Sequence, residues 1–456
     1  MTRIKQSMLD HRWLLLVAFL LRLGFSVGLY LAASRANHVH SLHLLNQWLS
    51  APDANLYHSM ALNVWRYFNG ILAAVPLNLP ANHANYPVLL GGIYYLLSPS
   101  PLWGIFFNSA AFLGLGFLVH RLAIQVGHPS SRALFISVLA VCWPLGLASS
   151  LTLLRESFIL LTVLGILVFL TNILNVARQG RWGWSWSGLG LLLSLYLLVT
   201  LRPEMKWPTL AVTITGICWS VSQNLIRKWR VMIWRPLAAC LIMLAAIWLA
   251  GQYPPQAMVK LEGSPFASSG QPAQVAGQTA SGIEVAAGLR PEKSSSVSLD
   301  SDLALPLILD KRRAYASDGG LSLSMHAFWV VDGVGGYIFA AAVGWRDLLL
   351  YPYPWEGPPS GGMAQRAALT VFTLLWYACL PGVAWGILHF ARSPSPAAGL
   401  IAAWVLLVGT ALALIVVNLG TLFRMRDMVL MPALLLISPQ PYVLLYRLIG
   451  RTKSHA

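Results

Sequence analysis

Charged side chains are scarce in this sequence, and several of its acids stand beside an arginine. Arg155 and Glu156 adjoin in "LTLLRES", Arg202, Glu204 and Lys206 share "TLRPEMK", and Arg424, Arg426 and Asp427 share "FRMRDM". A fourth stretch, "SAPDANLYHSMALNVW" at 50 to 65, sets Asp53 four and five residues ahead of Tyr57 and His58. A carboxylate held near a hydroxyl can take its proton. A guanidinium can hold two phosphate oxygens at once through parallel N–H groups.

The elements that carry these residues are apolar. Of 456 residues 57% are hydrophobic and 10% charged, with mean hydropathy +0.64, whereas soluble domains carry about 25% charged residues. The expected fold class is therefore an all-α polytopic membrane protein. Runs long enough to cross hydrocarbon fall at 13 to 33, 102 to 120, 133 to 150, 152 to 176, 187 to 201, 207 to 222, 234 to 250, 367 to 390, 399 to 420 and 428 to 447, about ten spans. Segments 86 to 97 and 328 to 350 are too short or too interrupted by glycine and charge, and are expected to be interfacial or re-entrant. The apolar part of the first run, about 20 residues from Trp13, is too long for a signal-peptide core, so an uncleaved helix is expected.

Sidedness follows from charge. With the N-terminus inside, the six inner segments hold 15 of the 31 Lys and Arg but only one acid, Asp10, of 15. Both counts agree with the positive-inside rule. Both termini are thus expected to be cytoplasmic, and the three acid-and-arginine stretches and the Asp53 stretch reach one outer surface. Were 86 to 97 to cross, the loop holding Arg121 and Arg132 would move outside. The formal charge of +16 is scattered over short loops, not interleaved with aromatics on one face, which argues against nucleic acid as a partner. Cys142, Cys218, Cys240 and Cys379 lie in apolar runs without metal or disulfide spacing.

Three regions are expected: a transmembrane core over 1 to 250 with a first outer loop at 34 to 101, a long extracytoplasmic loop at 251 to 366, and C-terminal helices at 367 to 456. The middle of the long loop is rich in Ser, Gly, Ala and Gln and has too few large apolar residues for a core. Ionisable groups at membrane helices cost about 2.5 to 3.5 kcal/mol each on insertion scales and are the default functional candidates. In the first outer loop Ser50 or Asp53 suits a helix cap and Pro52 a first turn. Leu56, Met60, Val64 and Phe68 then recur at helical spacing beside Tyr57 and Trp65, predicting an amphipathic surface helix. Asp53 is read both as an N-cap and as a proton acceptor. Arg22, within the first run, is the exception to the one-sided pattern, and is expected to snorkel or meet a carboxylate.

In order along the chain, "FLLRLGF", "DANLYHSMA", "NYPVLLGGIYYLL", "FFNSAAFLGLGFLVHRLA", "LRES", "LRPE" and "RMRDMVLMPALLLI" resemble the GT-C superfamily of polyprenyl-phosphate-sugar-dependent glycosyltransferases. The nearest branch is that of protein mannosyltransferases and aminoarabinose transferases, and the resemblance covers roughly 13 to 222 and 400 to 447. It implies a GT-C-like helical bundle in a bacterial cytoplasmic membrane, with an extracytoplasmic active site. Asp53 is implied to be the catalytic base, although Ala54 follows it where the family often has a second acid. Arg424, Arg426 and Arg202 would contact phosphate, while Arg155, Glu156, Glu204, Tyr57 and His58 would bind or position substrate. The implied partners are a polyprenyl-phosphate-linked sugar, the lipid bilayer, and a glycan, lipid or protein acceptor. No cofactor is singled out; a divalent cation is left open, but no carboxylate cluster with ligand spacing is visible. The alternative is a polysaccharide polymerase or ligase, or an export partner, in which Lys311, Arg312 and Arg313 matter more than Asp53. A transporter fits less well, because the ionisable groups gather at one face rather than at the midplane.

Overall fold

The computed structural model describes residues 2–36, 53–72, 81–143, 153, 155–174, 181–225, 333–351, 363–390, 395–416, 422 and 425–444. Expected features at 226 to 332 lie outside these, including the span at 234 to 250, most of the long loop and Lys311, Arg312 and Arg313. So does Arg424. The backbone of Asp53 is described but its side chain is not.

Among the described residues the fold is all-α, with twelve helices and no strand. They are α1 (Thr2–Ala36), α2 (Asp53–Phe68), α3 (Ala81–Leu96), α4 (Pro101–Val126), α5 (Ser130–Val141), α6 (Glu156–Leu174), α7 (Arg181–Leu201), α8 (Lys206–Leu225), α9 (Gly333–Leu350), α10 (Met363–Phe390), α11 (Pro396–Ile415) and α12 (Asp427–Leu434). Five are long and apolar enough to cross a membrane: Trp13–Arg35 of α1, α4, α6, Thr370–His389 of α10 and Ala397–Ile415 of α11. α6 is the most enclosed of these and packs on α4 and α7. α1 is the least enclosed and shows Leu14, Val17, Leu21 and Phe25 on its open side.

Local sequence sets several boundaries. Ser100 caps α4 by accepting from the Leu102 N–H at 3.4 Å, and Pro101 begins the helix where its missing donor costs nothing. Gly127, at φ 109°, ends α4 in the left-handed region and leads directly into α5. The apolar segment at 86 to 97 lies within α3, which at 16 residues is about 24 Å long and pairs with α2 as a hairpin. The segment at 328 to 350, expected to be interfacial or re-entrant, contains a continuous helix over Gly333–Leu350.

The apolar stripe expected on α2 divides between a packed and an open side. Tyr57, Met60, Ala61 and Val64 are buried, while Leu56 and Phe68 are 40% and 46% exposed. The cause lies across the hairpin: a side chain on Gly91 would meet Val64 and the Ala61 carbonyl, at 2.5 and 2.9 Å, so α3 crosses α2 closely only over these small and branched residues.

The last expected span, 428 to 447, is also not a single helix. α12 ends after eight buried residues, the chain turns over 435 to 439, and a second helical turn follows at 440 to 444. Pro439 and Pro441 lack the N–H groups that would continue it, and a residue before proline avoids the helical region. The turn is enclosed by protein. The Ser438 N–H donates to the Gly382 carbonyl at 2.9 Å, and His128 Nε2 donates to the Leu435 carbonyl at 2.7 Å. Gly386 lies so close to the Leu436 carbonyl that no side chain would fit there. Irregular backbone within an apolar bundle persists when protein groups satisfy it in this way.

Candidate functional site

Three expected stretches meet at one end of the bundle, where α5 and α7 finish and α6 and α12 begin. Arg202, just past α7, stands 3.6 Å from Glu156 and 3.5 Å from Glu204. Arg155 donates from Nη1 to the Leu201 carbonyl at 2.9 Å, filling a position that the end of α7 would leave open. The sequence neighbours Arg155 and Glu156 therefore turn to different partners, and both tie the start of α6 to the end of α7. Oε2 of Glu156 is buried and has no hydrogen-bond partner among the described residues.

Before this turn the backbone is strained. Leu153 has φ 52°, a left-handed conformation that costs a branched residue roughly 1 kcal/mol or more. It is held by packing: Leu153 is fully buried, and Gly104 of α4 leaves the space its side chain fills.

The second half of the cluster surrounds α12. Asp427 is buried and accepts from Trp143 Nε1 at 3.2 Å. Arg426 is 1% exposed; its guanidinium lies 4.5 Å from the centre of the Phe372 ring and donates to the Tyr351 carbonyl. Phe372 stands edge-on to Trp143 at 5.1 Å. Arg22 does not snorkel. It is buried, with its guanidinium 3.6 Å from the Phe112 ring centre and donating to the Val141 carbonyl at the end of α5. The charges of Arg426, Arg22 and Glu156 all reach Asp427. Glu156 thus links the α6–α7 pairs to the α12 cluster.

The α2–α3 hairpin borders this assembly. Tyr57 is buried with its ring edge-on to Tyr86 at 5.4 Å, and the Tyr86 hydroxyl donates to Asn108 Oδ1 at 3.2 Å. Tyr86 also feels the charge of Glu156. His58 Nδ1 is 2.8 Å from the Tyr94 hydroxyl, and burial pushes the imidazole down to about 4, so it is neutral near pH 7. Asn85 donates to the Thr200 carbonyl, joining α3 to α7. Asp53 is the first residue of α2, one turn before Tyr57 and on the same helix face.

The structure therefore joins Arg155, Glu156, Arg202, Glu204 and Arg426 in one assembly and sets Tyr57 and His58 in the adjoining hairpin. Sequence reasoning did not single out Trp143, Tyr86, Tyr94, Asn108 or Asp347. The "NYP" within α3 marked Tyr86, and the Trp143-Pro144 pair inside an apolar run marked Trp143. Asp347 had a plain signal, an acid inside an apolar helical pattern. Among the described residues no three His, Cys, Asp or Glu side chains converge as a metal site, and Cys142 and Cys379 are free thiols. No known protein family, curated protein or solved structure matches the chain.

Proposed function

We propose that this chain is a membrane glycosyltransferase that moves a sugar from a polyprenyl-phosphate donor to an acceptor hydroxyl. The reading sets it in a bacterial cytoplasmic membrane as a GT-C-like bundle of about ten spans, with both termini inside and the reaction outside. One observation supports it most: Arg202 bridges Glu156 and Glu204 at the same end of the bundle that holds Arg426 and Asp427. Widely separated turns are thereby gathered beside the hairpin that begins with Asp53.

In this mechanism Asp53 takes the proton of the acceptor hydroxyl. The acceptor oxygen bonds to the anomeric carbon from the face opposite the phosphate, and the carbon–oxygen bond to phosphate breaks. The electron pair leaves with the phosphate, and the anomeric centre inverts. Arg202 and Arg426, at this end, and Arg424, two residues before Arg426 in the sequence, stabilise the departing charge directly or fix the groups that do. Glu156 and Glu204 hold Arg202, and the buried Oε2 of Glu156 offers an acceptor for a sugar or acceptor hydroxyl.

The test is Asp53→Asn in the full-length chain, assayed for transfer from a polyprenyl-phosphate sugar in membranes. Loss of transfer with the protein level unchanged supports the reading; near-normal transfer overturns it. Replacing Lys311, Arg312 and Arg313 by alanine separates the polymerase, ligase or export alternative, which requires those residues and tolerates Asp53→Asn.

A further inference from the structure

Helix α9 buries a carboxylate that the mechanism above does not use. Ala340, Asp347 and Leu348 are buried along one side of it, and Ile338 and Phe339 are exposed. Gly344, on the buried side, presses against the backbone of Ala413 in α11, where a larger residue would not fit. Trp345 donates to the Thr410 hydroxyl at 3.1 Å. Asp347 thus stands in the packed stripe of an apolar helix at 3% exposure. Arg346, far more exposed, reaches it at 2.8 Å. A buried carboxylate in such a stripe is costly unless other groups answer its charge.

One turn further on, the helix ends in an unusual way. The carbonyls of Leu349, Leu350 and Tyr351 are each met by a side-chain donor from another part of the fold: Trp376 Nε1 at 2.7 Å, the Tyr377 hydroxyl and Arg426 Nη1. A helix leaves its last carbonyls without partners of its own. Here three consecutive ones are satisfied by two neighbouring residues of α10 and by the residue that precedes α12. The Tyr351 N–H donates back to the Asp347 carbonyl at 3.0 Å, so Asp347 sits one helical turn before the carbonyl that Arg426 holds. Arg426 is then fixed from three directions, by that carbonyl, by the Phe372 ring and by the charge of Asp427.

We propose that Asp347 is a positioning residue of the transfer site. The turn from Asp347 to Tyr351 is the wall against which Arg426 is set, and the buried Asp347 side chain, paired with Arg346, holds that turn in place. Arg426 then acts through α9 and Asp427, and direct contact with the donor phosphate falls to other arginines. The role in transfer rests on the glycosyltransferase reading above. The clamp on α9 does not.

The experiment uses the full-length chain in membranes, with its four native cysteines replaced and Tyr351→Cys introduced as the site of maleimide labelling. Asp347→Asn should speed labelling by about fivefold or more by loosening the turn. It should lower kcat for transfer by about tenfold or more through misplacement, with the donor KM within about twofold. Asp347→Glu should restore part of both, and Arg346→Gln, which removes the half-exposed partner of the Asp347 carboxylate, should move both in the same direction but by less. Unchanged labelling in Asp347→Asn overturns the proposal, as does an equal loss in Arg346→Gln. If Asp347→Asn does not accumulate, Asp347→Glu carries the test, with intermediate labelling expected and an unchanged rate overturning it. A parent chain without transfer activity overturns the proposed function, and the labelling rates then still decide the clamp.

Discussion

In the α2–α3 hairpin the contacts behind the first residue of α2 are made by neutral groups: Tyr57 against Tyr86, Tyr86 to Asn108, and His58 to Tyr94. Around α12 the same task of fixing a helix end is done by charges, with Arg22, Arg426 and Glu156 all acting on Asp427. Interlocked rings tolerate the loss of one polar atom, because the packing remains. Compensated buried charges do not, since removing one leaves another without its partner. The hairpin should therefore yield in small steps, and the cluster should fail at once.

The largest break is expected from Arg426→Leu. It strands the Asp427 carboxylate and frees the Tyr351 carbonyl, and should cost about 3 to 5 kcal/mol in thermal unfolding of the purified chain in detergent. Adding Asp427→Asn should recover part of that loss, and strict additivity of the two would argue that they are not coupled. Gly104→Ala comes next. The new methyl would meet Leu153 and Leu90 at 2.6 and 3.0 Å, and overpacking of this kind costs about 1 to 3 kcal/mol. Because Leu153 precedes Arg155 and Glu156, transfer activity should fall further than stability does; an unaffected rate would separate that turn from the site.

Tyr86→Phe removes the hydroxyl that meets Asn108 but keeps the ring on Tyr57, and should cost only about 1 kcal/mol in the same assay. A loss as large as that of Arg426→Leu would erase the contrast between the two regions. The effect that is smallest at neutral pH comes from His58 and grows as pH falls. The unfolded chain takes up a proton on His58 near its ordinary value of about 6.5, and the folded chain only near about 4. The unfolded state therefore gains as pH falls through that window, while above it His58 adds no slope. His58→Phe should show a shallower loss of stability between these values than the parent, and identical slopes would refute the assignment.

Much of this organisation can be read from residues alone. The pairs at 155/156, 202/204 and 426/427 were visible because charged groups in an apolar chain are few and costly, and three of the four stretches do converge. The helices at 101 to 126 and 156 to 174 were visible for the same reason, as apolar runs of spanning length. Other features were hidden. Which residues of the α2 stripe pack on protein was not legible, because Leu56 and Phe68 are as apolar as Met60 and Val64, and only Gly91 on the facing helix decides which side packs. The break after Leu434 was passed over because its residues are apolar, although Pro439 and Pro441 announced it. The burial of Asp347 was not legible because it depends on the close approach of Gly344 to Ala413 of α11, a contact between distant parts of the chain.

Composition, hydropathy and charge placement by themselves determined that the chain is helical and suited to a membrane, because those properties depend on what each segment can bury. They also marked which residues were too costly to be incidental. Which acid answers which arginine was decided only in three dimensions. Glu156 turns to Arg202 rather than to its neighbour, Arg155 meets a carbonyl 46 residues away, and Asp427 meets a tryptophan 284 residues away. Hydropathy is a local property that sequence spacing carries, but the compensation of buried charge depends on distance and solvent exclusion, which exist only once the helices have packed.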